Sequence, residues 1–286
     1  MPAGPGFPVL PWPAVGAEVK AEVPEGRGGV LLRGGALLGA VLVICVVMMR
    51  RWIGGGVCVS GERLDGKTVL VTGANTGIGK ETCRELARRG VMMCPRWLTE
   101  DGFETQFAVN HLSHFLLTNL LLPKLKSSAP SRVVTVSSVA HRGGDIDFSD
   151  LFFSSRAYSP LQSYRQSKLA NVLFSRELAR RLRGSGVTSF CVHPGVIRTE
   201  LGRHVEGRFP LLGALLRLPA MLLMKTPRQG SQTSLYCAVT PGLEDQSGSY
   251  FSDCALKEAA PEGRDDRVAA RLWTESARLV GIRDTC

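Results

Sequence analysis

The chain has 286 residues, of which 44% are hydrophobic, so it can bury a substantial core and wholesale disorder is excluded. Its formal net charge is +10, but the basic residues are scattered over helical patterns without interleaved aromatic side chains. This disfavours a nucleic-acid-binding protein and favours a solvated helix surface, with an anionic membrane or a phosphorylated cofactor as the next alternative. The eight cysteines form no C-x-x-C pair, which indicates free thiols and argues against a zinc site.

The first predicted element follows residues 1–29, which are rich in proline and glycine and which we expect to be disordered. Residues 34–49 then have the uncharged sequence GGALLGAVLVICVVMM. As a helix this run would cover about 24 Å, slightly less than the roughly 30 Å of a bilayer core. A span that begins at Val30 is long enough, because Arg33 can extend its charged end to the interface.

A single membrane anchor over residues 30–52 is therefore predicted, with Arg50, Arg51 and Trp52 as a basic and aromatic flank. The basic flank would keep the following domain, residues 53–286, on the cytosolic side. A signal peptide fits less well, since the apolar run starts late and lacks a cleavage site of small residues. A buried helix also fits less well, because the run has no polar face.

The next element is a predicted strand, Thr68–Thr72, which runs into a glycine-rich turn and then a helix pattern. The turn has the spacing T-G-x-x-x-G-x-G, and its glycines would let the backbone approach a pyrophosphate at the helix N-terminus. This order is typical of the first unit of a dinucleotide-binding fold. The P-loop of nucleoside triphosphatases is excluded, because Ala74 and Glu81 occupy positions where that loop needs glycine and a hydroxyl residue.

Four further elements follow in the second half of the chain. The first is a buried strand that ends in two serines, residues 131–139, and an amphipathic helix follows at residues 163–184. A strand that leads into HPG spans residues 187–201, and a short fourth strand spans residues 247–253. The alternation of strands and helices indicates an α/β protein with a parallel, doubly wound sheet.

Tyr164 and Lys168 are the strongest candidates for catalysis. They stand four residues apart, and so on one face of the predicted helix. An isolated Y-x-x-x-K pair is common and usually lies on a surface. Here the pair follows a glycine-rich turn and a strand that ends in VSS, and it precedes the strand that leads into HPG. Ligands bind where the carboxyl ends of parallel strands meet, which favours a functional pair.

This order of motifs resembles the short-chain dehydrogenase/reductase superfamily. The stretches TGANTGIGKET, VSSVAH, SKLANVLFSRELARRL and HPGVIRTELGRH closely resemble its membrane-anchored retinol dehydrogenases, and the resemblance covers residues 54–90 and 91–283. It implies a Rossmann-like fold and an NADP-dependent oxidoreductase. The implied reaction interconverts retinol and retinaldehyde, or related lipophilic alcohols and aldehydes.

The resemblance also implies a role for each motif residue. Tyr164 would give its proton to the substrate carbonyl during reduction and act as the base during oxidation, while Lys168 would lower the pKa of Tyr164 and hold the nicotinamide ribose. Ser138, rather than Ser137, would bond the substrate oxygen. Asn110 would hold a water of the proton relay, with a helix-bending polar residue as the alternative.

The expected cofactor is NADP(H). The residues expected to bind it are Gly73, Ala74, Asn75, Thr76, Gly77, Ile78, Gly79, Tyr164, Lys168, Pro194, Gly195 and Thr199. The apolar segment 208–225 would form a flap over the substrate or rest on the membrane. Expected partners are a retinoid-like small molecule and membrane lipid, with a homodimer as a candidate assembly and no nucleic acid. The expected location is the endoplasmic reticulum membrane, with a mitochondrial membrane as the alternative.

Three histidines, His111, His114 and His141, raise the question of a metal site. No Glu or Cys completes a ligand set at suitable spacing, so we expect surface or interface histidines and no bound metal.

The junction at Gly90 and Val91 departs from the family pattern. In that pattern an acidic or basic residue that contacts the adenosine ribose follows the glycines by about 20 residues. Here that position falls on Thr99, Glu100 and Asp101, which we expect to open the next helix. Strands two to four and two helices of the pattern are missing, about 60 residues in all.

Loss of the fourth strand removes the element between the first strand and the strand of residues 131–139. These strands must then pair anew or leave their edges unpaired. The alternative function is therefore a catalytically inactive, membrane-bound member of the family with impaired cofactor binding.

Overall fold

The computed structural model describes residues 28–60, 67–70, 72, 94–197 and 224–283, with side-chain exposure from residue 39 onward. The chain divides into two units, Met1–Cys45 and Val46–Cys286. Several predictions fall outside the described residues: disorder up to residue 27, the glycine-rich turn Gly73–Gly79, the Gly90–Val91 junction, Thr199 and nearly all of segment 208–225.

The first helix, α1 (Gly28–Gly54), contains the uncharged run of residues 34–49. Its large apolar side chains between Val41 and Met48 are exposed. Within the described part of the chain, no helix combines the length and the apolarity needed to cross a membrane. The helical conformation of residues 30–52 is thus confirmed, while a membrane anchor there stays a prediction.

Four strands form one sheet in the order β1 (Ser131–Val136), β2 (Val187–His193), β3 (Tyr250–Ser252) and β4 (Ala255–Lys257). The first three strands are parallel, and β4 returns antiparallel to β3. The predicted strands in these places are confirmed with shorter bounds. Because β1, β2 and β3 are parallel, their carboxyl ends meet at one edge of the sheet.

The helices after α1 alternate with these strands. They are α2 (Thr105–Phe107), a π-helical segment (Ala108–Leu112), α3 (Ser113–Ser127), α4 (Pro160–Arg181), α5 (Pro227–Val239) and α6 (Asp266–Leu279). Helix α4 begins where the Ser159 hydroxyl accepts a hydrogen bond from the backbone N–H of Gln162, with proline at the first helical position, a sequence favoured at helix starts. The helix predicted over residues 163–184 is α4.

The sheet is covered on both faces. Phe190 and Val192 of β2 pack with Cys237 of α5 on one face, whereas the intervening Cys191 packs with Val172 of α4 on the other. Since successive side chains of a strand point to opposite faces, a doubly covered strand must be apolar on both. The result is a three-layer α/β/α arrangement, as the alternation of elements predicts.

Aromatic packing fixes α4 between the sheet and α6. The ring of Phe174 stacks on Trp273 with 5.8 Å between centroids, and Phe115 of α3 meets Trp273 edge-on at 4.9 Å. Leu173 and Leu272 are fully buried in the neighbouring core. Each such side chain stabilises the fold by about 1.5–3 kcal/mol, so α4 is a rigid support for whatever its inner face carries.

The predicted strand Thr68–Thr72 is wrong for the residues described there. Residues 67–70 have no strand conformation, and Leu70 is 63% exposed. In the described part of the chain, β1 has no strand on its outer edge. The physical reason is that a strand needs a neighbour for its backbone hydrogen bonds, and the expected neighbour is the missing fourth strand.

The helix start predicted at Thr99–Asp101 is also wrong. Thr99 and Phe103 close a turn through a backbone hydrogen bond of 2.8 Å, and Gly102 within it has a φ of +79°. A residue with positive φ cannot continue a right-handed helix. The helix begins instead at Thr105, where the Glu104 carboxylate accepts hydrogen bonds from two free backbone N–H groups.

Candidate active site

Tyr164 and Lys168 lie one turn apart on the inner face of α4, beside the carboxyl end of β1. They are only 7% and 4% exposed. The Lys168 Nζ atom is 5.7 Å from the centre of the Tyr164 ring. The pair is therefore buried at the strand ends and does not have the surface position that an isolated Y-x-x-x-K pair usually takes.

The Lys168 ammonium is held by the end of β1. Its Nζ donates to the carbonyl oxygen of Val136 at 3.3 Å, and Asn171 Nδ2 donates to the same oxygen at 3.1 Å. Burial lowers the pKa of Lys168 to about 8, and Cys191 beside it acts in the opposite direction. Lys168 is thus a desolvated cation that loses its proton more readily than a surface lysine.

The pKa of Tyr164 is raised, whereas the family resemblance implies a lowered one. Burial raises the pKa of its phenol, and the hydrogen bond from the Ser138 hydroxyl lowers it by less. The sequence comparison implied that Lys168 would lower this pKa. Here the lysine donates to Val136, so desolvation of the phenolate decides the direction.

The two serines after β1 have different roles. The Ser137 hydroxyl donates to the backbone carbonyl of Lys168 at 2.7 Å and is buried. Ser138 has extended backbone angles and caps the short 3₁₀ turn that follows by accepting from Ala140 N at 3.2 Å. Its hydroxyl also lowers the pKa of Tyr164. The structure therefore brings Ser138 to the tyrosine, while Ser137 joins β1 to α4.

Asn110 lies in the π-helical segment, where the helix is wider than usual. Its Nδ2 donates to Ser167 Oγ at 3.0 Å, and that hydroxyl donates to the Tyr164 carbonyl at 2.8 Å. Asn110 is thus linked through Ser167 to the backbone of the tyrosine. π-Segments inside α-helices are frequent at functional sites.

The residues after β2 form the other wall of the site. Gly195 has a φ of +92°, and a side chain there would collide with the Lys225 side chain. Next to it is a cleft of about 420 Å³ lined by Trp52, Ile53, Gly55, Gly195, Val196, Lys225 and Asp253. The Lys225 ammonium forms a 2.5 Å ion pair with Asp253 in this cleft.

His193 is a site residue that the sequence analysis missed. Its Nδ1 accepts from the backbone N–H of Val139 at 3.2 Å and of Gly195 at 3.3 Å. It thus joins the turn after Ser138 to the loop after β2. Burial lowers its pKa to about 4, so it is neutral at neutral pH. The sequence contained a signal for this residue, because His193 is the first residue of the HPG motif at the end of a predicted strand.

The prediction of surface histidines is wrong for His111 and His141, which are both fully buried. His111 Nε2 pairs with Ser276 Oγ at 2.8 Å, and His141 contacts the Ser138 turn. His114 is half-buried and pairs with Thr72 Oγ1 at 3.1 Å. Among the residues that the structure describes, no three His, Cys, Asp or Glu side chains converge as metal ligands would.

A nicotinamide ribose and a substrate carbonyl fit the groups that converge here. An ammonium, a phenol and a hydroxyl are hydrogen-bond donors for ribose hydroxyls and for a carbonyl oxygen, and the three are supplied by Lys168, Tyr164 and Ser138. The residues expected to bind the rest of the cofactor, Gly73–Gly79 and Thr199, lie outside the described residues.

Comparison with known proteins identifies the relatives of this chain. The model of the short chain dehydrogenase family matches residues 93–208. Retinol dehydrogenase 13 of Homo sapiens is 45% identical over 301 residues, covering 82% of this chain and 91% of that protein. Retinol dehydrogenase 14 of Mus musculus is 54% identical over 194 residues, or 68% of this chain and 57% of that protein. Among solved structures, an uncharacterised protein from Mycobacterium paratuberculosis matches with 36% identity and a TM-score of 0.54, over 69% of this chain and 66% of its own.

The alignment lengths also bear on the missing segment. Since 82% of 286 residues is about 235, about 66 of the 301 positions aligned with retinol dehydrogenase 13 have no residue in this chain. The family match begins at residue 93, directly after the predicted junction. These lengths agree with the loss of strands two to four and two helices of the family pattern, about 60 residues.

Proposed function

This chain belongs to the short-chain dehydrogenase/reductase family, in its retinol dehydrogenase group, and we propose that it is an NADP-dependent oxidoreductase that interconverts retinol and retinaldehyde, or related lipophilic alcohols and aldehydes. The observation that carries this proposal is the convergence of Tyr164, Ser138 and Lys168 in a buried site at the carboxyl ends of the parallel strands. The names of the similar retinol dehydrogenases support the substrate class.

The chain's own groups account for the proton chemistry of carbonyl reduction. A bound nicotinamide cofactor supplies the hydride or accepts it. The Ser138 hydroxyl bonds the substrate oxygen, and Tyr164 donates its phenolic proton to that oxygen. Because burial raises the pKa of Tyr164, the phenol is protonated at neutral pH, which is the form that reduction requires.

Other groups hold the reactants in place. Lys168 would bond the nicotinamide ribose, and Asn110 would orient a water that returns a proton to the site. Pro194 and Gly195 would shape the nicotinamide pocket, and the positive φ of Gly195 is a backbone conformation that glycine adopts readily. Gly73–Gly79 and Thr199 would hold the remainder of the cofactor, and NADP(H) is proposed over NAD(H) from the family resemblance.

The location proposed is the endoplasmic reticulum membrane, with the catalytic domain in the cytosol. The exposed side chains of Val41, Leu42, Val43, Ile44, Val47 and Met48 support a membrane-associated α1, since single exposed apolar residues are ordinary but a cluster of six is not. A lipid surface is also where retinoids collect. The homodimer remains a candidate assembly.

A specific observation favours a second candidate function. Residues 67–70 form no strand, although they should lead into the cofactor-binding turn. In addition, about 66 aligned positions of retinol dehydrogenase 13 are missing. If the strands and helices that contact the adenosine part of the cofactor are missing, the chain is a catalytically inactive, membrane-bound member of the family with impaired cofactor binding.

One experiment decides between the two candidates. The full chain, purified in lipid nanodiscs, is given retinaldehyde and NADPH, and the retinol formed is separated by chromatography and quantified. We expect turnover that falls about 10²- to 10⁴-fold in Tyr164→Phe and is unchanged in Tyr236→Phe, which removes a hydroxyl on α5. Turnover no higher than in Tyr164→Phe overturns the enzyme. Absence of NADPH binding in calorimetry then supports the inactive form, and tight binding excludes it.

A further inference from the structure

His141 occupies a fully buried position between the turn that carries Ser138 and the segment before α6. Its Nδ1 lies 2.6 Å from the carbonyl oxygen of Ser138. On the opposite side of the ring, Nε2 lies 3.0 Å from the backbone N–H of Ala260. The ring of Tyr250 packs beside it at 4.9 Å between centroids. One imidazole therefore bridges two segments that are 119 residues apart.

The two partners fix which nitrogen carries the proton. A carbonyl oxygen can only accept a hydrogen bond, so Nδ1 must carry a hydrogen to bond Ser138. A backbone N–H can only donate, so Nε2 must present a lone pair to Ala260. Only the neutral imidazole with its proton on Nδ1 satisfies both contacts. A proton added at Nε2 would face the Ala260 N–H and break that contact.

We propose that His141, as the neutral Nδ1–H tautomer, is a positioning residue that fixes the Ser138 turn by tying it to Ala260. The tautomer follows from the contacts alone, whereas the effect on catalysis rests on the proposed function. The backbone N–H of His141 donates to the same Ser138 oxygen at 3.2 Å, so this carbonyl is held by two donors. The direction of the Ser138 hydroxyl toward Tyr164 depends on this turn.

The charges around the ring are compatible with a neutral histidine. Burial lowers the pKa of His141, while the hydrogen bond to the Ser138 carbonyl opposes this effect without cancelling it. The adjacent Arg142 acts in the same direction as burial, and Glu262 acts in the opposite direction but less strongly. His193 also faces His141 from the end of β2 and is itself held neutral by burial. Tyr250 completes the surroundings and carries no charge at neutral pH, because burial raises its pKa.

The first test reads the tautomer directly and needs no enzymatic activity. The full chain is labelled with ¹⁵N-histidine, and nitrogen chemical shifts are recorded from pH 8 to pH 5, with the His141 signals assigned by their loss in His141→Asn. We expect a protonated Nδ1, an unprotonated Nε2 and no titration near the ordinary histidine pKa of about 6.5. A proton on Nε2, or titration at the ordinary pKa, overturns the proposal.

The second test separates the two contacts with matched variants. The amide of His141→Asn can reach the Ser138 carbonyl from the Nδ1 side, while the longer side chain of His141→Gln can reach Ala260 from the Nε2 side. Tying the Ser138 turn to Ala260 needs both contacts, and each variant keeps only one of them. Positioning of Ser138 therefore predicts that kcat for retinaldehyde falls about 10- to 100-fold in both variants, while KM for NADPH changes in neither. A kcat near the wild-type value in either variant overturns the positioning role.

Ala260→Pro provides an independent control. Ala260 has a φ of −56°, which proline can adopt, so this variant removes the N–H that faces Nε2 while its ring carbons are added at a buried position. We expect His141 to titrate closer to its ordinary pKa in this variant, and an unchanged titration would overturn the link to Ala260. If the wild-type chain itself turns nothing over, the proposed function and the catalytic part of this proposal fail together, while the nitrogen shifts still decide the tautomer.

Discussion

The hydroxyl of Ser137 donates a 2.7 Å hydrogen bond to the backbone carbonyl of Lys168. The residue directly after β1 is thereby joined to the face of α4 that carries Tyr164 and Lys168. The next residue, Ser138, instead acts on Tyr164, whose pKa its hydroxyl lowers. Of two adjacent serines, one thus holds the scaffold and the other faces the tyrosine, where the proposed function places the substrate oxygen. This division leads to opposite expectations for their removal.

Ser137→Ala should lower stability and Ser138→Ala should lower turnover. Loss of the buried Ser137 bond costs about 1 kcal/mol of unfolding free energy, measured by urea denaturation. Loss of the Ser138 hydroxyl should reduce kcat for retinaldehyde by about 10²-fold, as for one donor to a reacting oxygen, and should lower the urea midpoint less than Ser137→Ala does, because only the 3.2 Å bond that caps a short turn is lost. The reverse pattern would assign the substrate contact to Ser137.

Lys168→Met should raise stability while abolishing turnover. The pKa of Lys168 falls from 10.5 to about 8 on folding, so between these pH values the unfolded chain binds more protons and stability rises with pH. Below pH 8 the buried charge costs roughly 3 kcal/mol. We expect Lys168→Met to be more stable than the wild type at pH 7 by an amount of this order, with the advantage shrinking toward pH 10.5.

The control for this comparison is Lys124→Met, which removes an exposed ammonium near the end of α3. Its unfolding free energy should follow the wild type at every pH. Tyrosines and cysteines with raised pKa values also titrate above pH 8 in both proteins, so the difference between wild type and Lys168→Met is the quantity to measure. A constant difference from pH 7 to pH 10.5 would contradict the lowered pKa.

Acid should destabilise the protein through His111. Burial lowers the pKa of this histidine from 6.5 to about 3, so below pH 6.5 the unfolded chain takes up a proton that the folded chain refuses, and stability falls. Between pH 7.5 and pH 4.5 this amounts to roughly 3 kcal/mol. His111→Gln, which can keep a bond to Ser276, should lose that much less over the same range in urea denaturation. An equal loss of stability in wild type and His111→Gln would show that groups other than His111 cause the acid destabilisation.

The glycines at the end of α1 should respond very differently to alanine. A side chain on Gly56 would meet the backbone oxygen of Asp253 at 2.1 Å, whereas one on Gly54 would meet only the movable end of Gln229 at 2.8 Å. Gly56→Ala should therefore cost about 1–3 kcal/mol and speed tryptic cleavage after Arg50, whose guanidinium now bonds Met224 O at 2.8 Å. Gly54→Ala serves as the matched control, and equal effects of the two changes would contradict close docking of this segment.

Local pattern was sufficient for much of the fold. The apolar run of residues 131–139 and the amphipathic pattern of residues 163–184 predicted β1 and α4, and the four-residue spacing placed Tyr164 and Lys168 on one face. Pattern was insufficient where a long-range partner decides. Thr68–Thr72 has the composition of a strand but lacks a neighbour, and residues 99–101 lie in a turn because Gly102 adopts a positive φ.

The sequence by itself determined the family, through its resemblance in residue type and motif order, and it placed Tyr164 and Lys168 on one face of a helix, because that depends only on spacing along the chain. The expectation of Ser138 over Ser137 as the substrate contact came from the same resemblance. Only the tertiary structure decided the protonation of the site. Burial raises the pKa of Tyr164 and lowers that of Lys168, and His141 is held between Ser138 and a residue 119 positions away. Desolvation and hydrogen-bond direction depend on which distant segments pack around a group, and spacing along the chain does not contain that information.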